Sequence, residues 1–128
     1  MLSYSTVEPH TLELLKAFMQ QDLFAPMRLV GGTALALQYG HRQSIDLDLF
    51  GSVQFDSLEI RQVLNQIGKL TIIKESSNIK TYLLDGIKVD FVNYAYPWID
   101  ESIEEEGIRL ASDKDIAAMK INAIEGKR

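Results

Sequence analysis

The segment IDLDLF at 45–50 constrains the fold more than any other part of the sequence, because it alternates apolar and acidic residues. This period is typical of a β-strand with one buried face. Residues two apart in a strand point to the same side, so Asp46 and Asp48 project together while Leu47 and Leu49 point into the core. Two adjacent carboxylates repel each other, so this face needs either full solvation or a positively charged partner.

The remaining pattern of apolar residues predicts further helices and strands that alternate along the chain. We expect helices over 9–21, 33–39, 56–67 and from 112 onward, and strands over 27–30, 45–50, 70–74, 79–84 and 87–94. Asp85-Gly86 between the last two strands is typical of a tight hairpin turn. Ser112-Asp113-Lys114-Asp115 resembles a capping box at the start of the last helix. The expected fold class is therefore α+β, with α/β-like alternation and a mixed β-sheet flanked by helices.

Composition excludes several classes of function. The 128 residues contain no cysteine, which rules out disulfides, thiolate catalysis and cysteine-based zinc sites. The formal net charge of −5 argues against broad binding along a phosphate backbone. No apolar run approaches the length needed to span a bilayer, and the first residues lack the pattern of a secretory signal. We expect a cytoplasmic protein with no membrane partner.

Asp46 and Asp48 allow several interpretations. An isolated Asp-x-Asp pair is most often the acidic outer face of an ordinary strand. An EF-hand loop counted from Asp46 would place Ser57 where the bidentate glutamate belongs, and a glycosidase pair must straddle a sugar. A shared divalent cation fits better, because oxygen ligands suit Mg²⁺ or Mn²⁺, and such sites support phosphoryl or nucleotidyl transfer.

Two further features bear on that chemistry. Gly31-Gly32, between a predicted strand and a predicted helix, lets the backbone approach a ligand closely, and the helix N-terminus favours an anion. The same glycines would also serve as a simple connecting turn. Asp90 is a lone charge among apolar residues of its strand, which is unfavourable without a partner. It is either a third carboxylate beside the first two or an exposed position on an edge strand.

Four segments in this order resemble the AbiEii/AbiGii-type nucleotidyltransferases, the toxins of abortive-infection toxin–antitoxin systems. The segments are Gly31-Gly32-Thr33, His41-Arg42-x-Ser44-x-Asp46-x-Asp48-x-Phe50, Lys88-Val-Asp90-Phe91 and Ala111-Ser-x-x-Asp115-Ile-Ala-Ala-Met-Lys120. The resemblance implies the nucleotidyltransferase fold of the DNA polymerase β-like superfamily. It also implies that residues 1–128 form a single nucleotidyltransferase-like domain, without the C-terminal helical portion with which family members continue.

The resemblance also implies roles for individual residues. Asp46, Asp48 and Asp90 would be catalytic, and Asp46 and Asp48 would bind two divalent ions, Mg²⁺ or Mn²⁺. Asp90 would complete the site for the attacking hydroxyl, either as a further metal ligand or by helping to remove the hydroxyl proton. The residues expected to bind the nucleotide are Gly31, Gly32, Thr33, Arg42 and Ser44. Lys120 is a further catalytic candidate, which like Arg42 would neutralise phosphate charge.

The implied reaction is attack of an acceptor hydroxyl on the α-phosphorus of a nucleoside triphosphate, with release of pyrophosphate. By the same resemblance, the acceptor is a transfer RNA or a protein, and a cognate antitoxin is a partner. The alternative is a truncated or non-catalytic nucleotidyltransferase-like module that binds a nucleotide or a partner without turnover.

Overall fold

The computed structural model describes residues 9–31, 46–52, 56–94, 97–105 and 107–118. The described elements are α1 (Pro9–Met19), a 3₁₀ helix (Asp22–Phe24), β1 (Arg28–Val30), β2 (Leu47–Gly51), α2 (Ser57–Ile67), β3 (Leu70–Glu75), β4 (Ile79–Leu84), β5 (Ile87–Asn93), β6 (Ile103–Glu105) and β7 (Ile108–Leu110). Residues 113–118 are also helical. The helix predicted over 33–39 lies outside the described residues. None of the helices in the described ranges is long and apolar enough to cross a bilayer.

The described strands form one mixed sheet in the order β3-β4-β5-β2-β1-β7-β6. At its centre β2 and β5 are parallel, while β1 runs antiparallel to β2 and parallel to β7. The fold class is α+β, as the sequence predicts. The hairpin of β6 and β7 was not predicted from the sequence.

One face of the sheet carries the hydrophobic core. Phe18 of α1 and Phe24 of the 3₁₀ helix pack on Phe91 of β5, with ring centroids 5.7 and 4.7 Å away. Ile60 and Leu64 of α2 belong to the same buried cluster. Because side chains alternate along a strand, the neighbours of Phe91 in β5 point to the opposite face of the sheet.

The structure shows a capped helix start at Asp56 and the predicted hairpin turn at Asp85-Gly86. Asp56 is the N-cap of α2, and its carboxylate accepts a hydrogen bond from the Leu58 N–H at 2.9 Å. Asp85 and Gly86 join β4 to β5 with φ of 52° and 81°. Positive φ at both positions is what the favoured two-residue hairpin turn requires.

Arg109 of β7 fixes the N-terminal helical segment to the sheet. Its guanidinium donates hydrogen bonds to the carbonyl oxygens of Met19, Phe24 and Met27 at 3.2, 3.0 and 3.1 Å. Met19 ends α1, where the helix dipole favours a cation. Burial lowers the pKa of Arg109, but a guanidinium stays protonated at ordinary pH.

Asp115 connects the last described helix to the segment before β6. It is 2% exposed, and its carboxylate accepts hydrogen bonds from the backbone N–H groups of Ile99 and Asp100 at 2.6 and 3.1 Å. Ser112 Oγ donates to the same carboxylate at 3.0 Å and accepts from the Asp115 N–H at 3.2 Å. The expected helix start is therefore present at Ser112, and Asp115 has a structural role in it.

Candidate active site

The candidate site lies on the two central parallel strands. Asp48 of β2 and Asp90 of β5 are register partners, and both point away from the core face. Their side chains are close enough for a carboxyl–carboxylate hydrogen bond. Asp46 lies just before β2 and is exposed, and its charge acts on Asp48. The structure therefore brings Asp48 and Asp90 together, with Asp46 near them.

The surroundings raise the pKa of Asp48 from 3.8 to about 6. Burial is the largest cause, followed by the hydrogen bond and the charge of Asp90 and then by the charge of Asp46. The ammonium of Lys88 acts in the opposite direction. A carboxyl group whose pKa is shifted by burial and by like charges is typical of a functional site.

Asp90 has a second set of contacts, which sequence analysis missed. Thr81, its register partner on β4, donates a hydrogen bond from Oγ1 to Asp90 Oδ1 at 2.5 Å. Lys88 Nζ lies 3.8 Å from Asp90 Oδ2, and the Lys88 side chain is 52% exposed. Lys88 was part of the matching segment without an assigned role. Thr81 could have been found by counting back from the Asp85-Gly86 turn, which pairs it with Asp90.

Gly31, at the end of β1, lies against the carboxylate of Asp48. Its φ is +74°, a backbone conformation that residues with a side chain rarely adopt. A Cβ built on Gly31 would stand 2.6 Å from Asp48 Oδ2. Glycine is thus required at this position by its backbone conformation and by its close approach to Asp48.

An aromatic cluster lies next to the carboxylates on the same face of the sheet. Phe50, two residues from Asp48 in β2, contacts Tyr94 with ring centroids 5.7 Å apart, and Tyr94 contacts Trp98 at 5.0 Å. The Arg28 guanidinium lies 4.4 Å from the centre of the Trp98 ring and donates a hydrogen bond to the Asp100 carbonyl at 2.9 Å.

Five of the residues predicted for the site lie outside the described residues: Gly32, Thr33, Arg42, Ser44 and Lys120. Their roles stay predictions. Within the ranges that the structure describes, no group of three or more His, Cys, Asp or Glu side chains is arranged to hold a metal ion. The facing carboxylates of Asp48 and Asp90 nevertheless have the hard oxygen ligands that Mg²⁺ and Mn²⁺ prefer, and a cation would offset their repulsion.

The sequence matches one protein family, described as "Nucleotidyl transferase AbiEii toxin, Type IV TA system", over residues 13–124. An uncharacterized protein of Aquifex aeolicus (strain VF5) is 42% identical over 100 residues, which are 75% of this chain and 48% of that protein. The chain thus spans about half the length of this curated relative.

Solved structures show the same fold. A candidate nucleotidyltransferase from H. pylori has a TM-score of 0.62 and 24% identity, and the match covers 88% of this chain and 55% of that one. A candidate nucleotidyltransferase (TM1012) from Thermotoga maritima has a TM-score of 0.58 and 17% identity, over 94% of this chain and 90% of that one. At these identities the similarity shows the fold alone, which is that of nucleotidyltransferases.

Proposed function

Because the chain belongs to the AbiEii nucleotidyltransferase toxin family, we propose that it transfers a nucleotide from a nucleoside triphosphate to an acceptor hydroxyl, with a divalent cation as cofactor. The observation that carries this proposal is the position of Asp48, which contacts both Asp90 and the glycine at the end of β1. Two carboxylates beside a backbone that can approach a phosphate suit this chemistry.

Asp48 and Asp90, with Asp46 beside them, are the residues that would hold Mg²⁺ or Mn²⁺. When bound, the ion would stabilise charge that develops on the transferred phosphate and lower the pKa of the acceptor hydroxyl. The raised pKa of Asp48 supports this assignment, because a nearby cation favours the ionised form of a carboxyl group that is otherwise unfavourable there.

Other residues of the chain would bind and orient the substrates. Gly31 lets the backbone approach Asp48 closely, and together with Gly32 and Thr33 it would bind the triphosphate through backbone N–H groups. Arg42, Ser44 and Lys120 are further candidates for contacts with the nucleotide. The acceptor oxygen would form a bond to the α-phosphorus as the bond to pyrophosphate breaks, and Asp90 would accept the hydroxyl proton.

The acceptor and the biological setting belong to the same proposal. The family is one of toxins of type IV toxin–antitoxin systems, so a cognate antitoxin is the proposed partner and the cytoplasm the proposed compartment. A transfer RNA or a protein is the proposed acceptor, since a macromolecular target of the host would explain toxicity.

Transfer of label from α-³²P nucleoside triphosphates tests this function. The chain is incubated with each triphosphate, Mg²⁺ or Mn²⁺, and either total transfer RNA or cell protein. We expect label on one acceptor, and a loss of about 100-fold or more in Asp48→Asn, because one cation ligand is removed. Asp22→Asn, at an exposed position of the 3₁₀ helix, is the control that should keep full activity. Metal-dependent nucleotide binding without transfer would instead favour the non-catalytic binding module.

A further inference from the structure

We infer that Thr81 is a positioning residue for Asp90: its hydroxyl holds Oδ1 so that Oδ2 is presented to the cation and the acceptor. This role rests on the proposed nucleotidyl transfer. The hydrogen bond from Thr81 Oγ1 to Asp90 Oδ1 measures 2.5 Å, and the two residues are register partners across β4 and β5. The contact is therefore built into the sheet and does not depend on a loop.

The two oxygens of Asp90 lie in different surroundings. Oδ1 is bonded to Thr81, whereas Oδ2 lies 3.8 Å from Nζ of Lys88, whose side chain is 52% exposed. The terminal torsion of an aspartate is broad, so the backbone alone does not fix which oxygen faces the site. A donor on one oxygen does fix it, and a ligand held in one orientation binds a cation or accepts a proton more effectively.

Two substitutions at Thr81 distinguish the effect of its hydroxyl from the effect of its size. Thr81→Val keeps the β-branched shape and removes the donor, whereas Thr81→Ser keeps the donor and removes a methyl group. Thr71→Val is a matched control, because Thr71 is an exposed threonine of the edge strand β3. A position at which only packing matters would tolerate valine better than serine, which is the reverse of what this role requires.

The experiment measures Mn²⁺ binding by calorimetry and steady-state kinetics on the full chain, with circular dichroism to show that each variant is folded. We expect Thr81→Val to weaken Mn²⁺ binding by about 10-fold and to lower kcat by about 10-fold or more, since removing the partner of a ligand typically has effects of this size. KM for the triphosphate should change less than about twofold, because Thr81 would orient Asp90 and not the nucleotide. Thr81→Ser and Thr71→Val should stay close to wild type.

Three results would contradict either the role of Thr81 alone or the proposed function with it. Thr81→Val with wild-type Mn²⁺ affinity and kcat, while Asp90→Asn loses both, would exclude the role of Thr81 and leave the proposed function intact. Equal losses in the valine and serine variants would exclude it too, because the hydroxyl would then not be responsible. Mn²⁺ binding that is absent, or that survives in both Asp48→Asn and Asp90→Asn, would overturn the proposed function itself and this role with it.

Discussion

Gly31 and Asp48 are packed so closely that a methyl group on the glycine would stand 2.6 Å from the carboxylate. Gly31→Ala should therefore displace Asp48, in addition to the cost of about 1–2 kcal/mol for an alanine at positive φ. We expect Mn²⁺ affinity to fall about 10-fold. Gly86→Ala is the matched control, because Gly86 also has positive φ and no atom lies within 4 Å of its Cβ position. Urea unfolding measures the loss of stability, and calorimetry measures the loss of Mn²⁺ affinity. Equal Mn²⁺ affinities in the two variants would contradict the prediction.

The facing carboxylates should make the metal-free protein less stable at neutral pH. In the folded state the pKa of Asp48 is about 6, above its ordinary value of 3.8, so the folded protein binds more protons between those values. Its contribution to stability is therefore greatest below pH 4 and is lost as the pH rises through about 6.

Asp90→Asn removes one of the charges while its amide oxygen can still accept the bond from Thr81. In the presence of a chelator at pH 7, we expect this variant to be more stable than wild type by about 1–2 kcal/mol, after allowance for solvent screening. Below pH 4 the two proteins should converge. The check is urea unfolding at both pH values, and a variant less stable than wild type at pH 7 would contradict the expected repulsion.

Metal binding should depend on pH through the same carboxyl group. Because Asp48 must lose its proton to bind a cation, Mn²⁺ affinity should be about 10-fold lower at pH 5 than at pH 7. Thermal melting provides the measurement, since a ligand at about 100 times its Kd stabilises the folded form by about 2.7 kcal/mol. The rise in Tm should be absent in the double variant Asp46→Ala/Asp48→Ala. A rise that is equal at pH 5 and pH 7 would place the cation elsewhere.

His10 should stabilise the fold at acidic pH. Its Nε2 lies 2.7 Å from Asp85 Oδ2, and the hydrogen bonds to Asp85 and then Glu13 raise the pKa of His10 above 6.5. The stabilisation is complete below pH 6.5 and is lost as the pH rises through the raised value. We expect His10→Gln to lower Tm at pH 5.5 and to leave it unchanged at pH 9. NMR titration of His10 should give a pKa above 6.5, and a lower value would contradict this contact.

Arg109 should be difficult to replace even by lysine. Its planar guanidinium donates hydrogen bonds to three carbonyl oxygens in fixed directions, a geometry that the ammonium of lysine does not reproduce. We expect Arg109→Lys to lower the free energy of unfolding by about 2–3 kcal/mol, since buried carbonyls lose their donors. Arg61→Lys, at a more exposed ion pair with Glu75, should have a smaller effect in the same unfolding experiment. Equal losses in both variants would contradict this.

Sequence reasoning succeeded where neighbouring residues determine the structure. The alternation that predicts a strand over 45–50 and the Asp85-Gly86 turn each depend on a few adjacent residues. The described residues confirm the strand from Leu47 onward and the turn. The pairing of Asp48 with Asp90 could not be derived in this way, because it depends on parallel strands that local patterns do not bring together. The contact of His10 with Asp85 joins residues 75 positions apart and has no local signal either. The raised pKa of Asp48 depends on burial, which only the assembled sheet provides.

The two-residue turn between β4 and β5 has one more consequence, for how related sequences tolerate insertions. It sets which residue of β4 stands opposite each residue of β5, so an added or deleted residue at the turn would shift Thr81 from Asp90 by one position. Length changes should therefore be rare at this hairpin tip and tolerated in loops that do not set the register. A change of length at this turn would thus alter the surroundings of Asp90 without replacing any acidic residue.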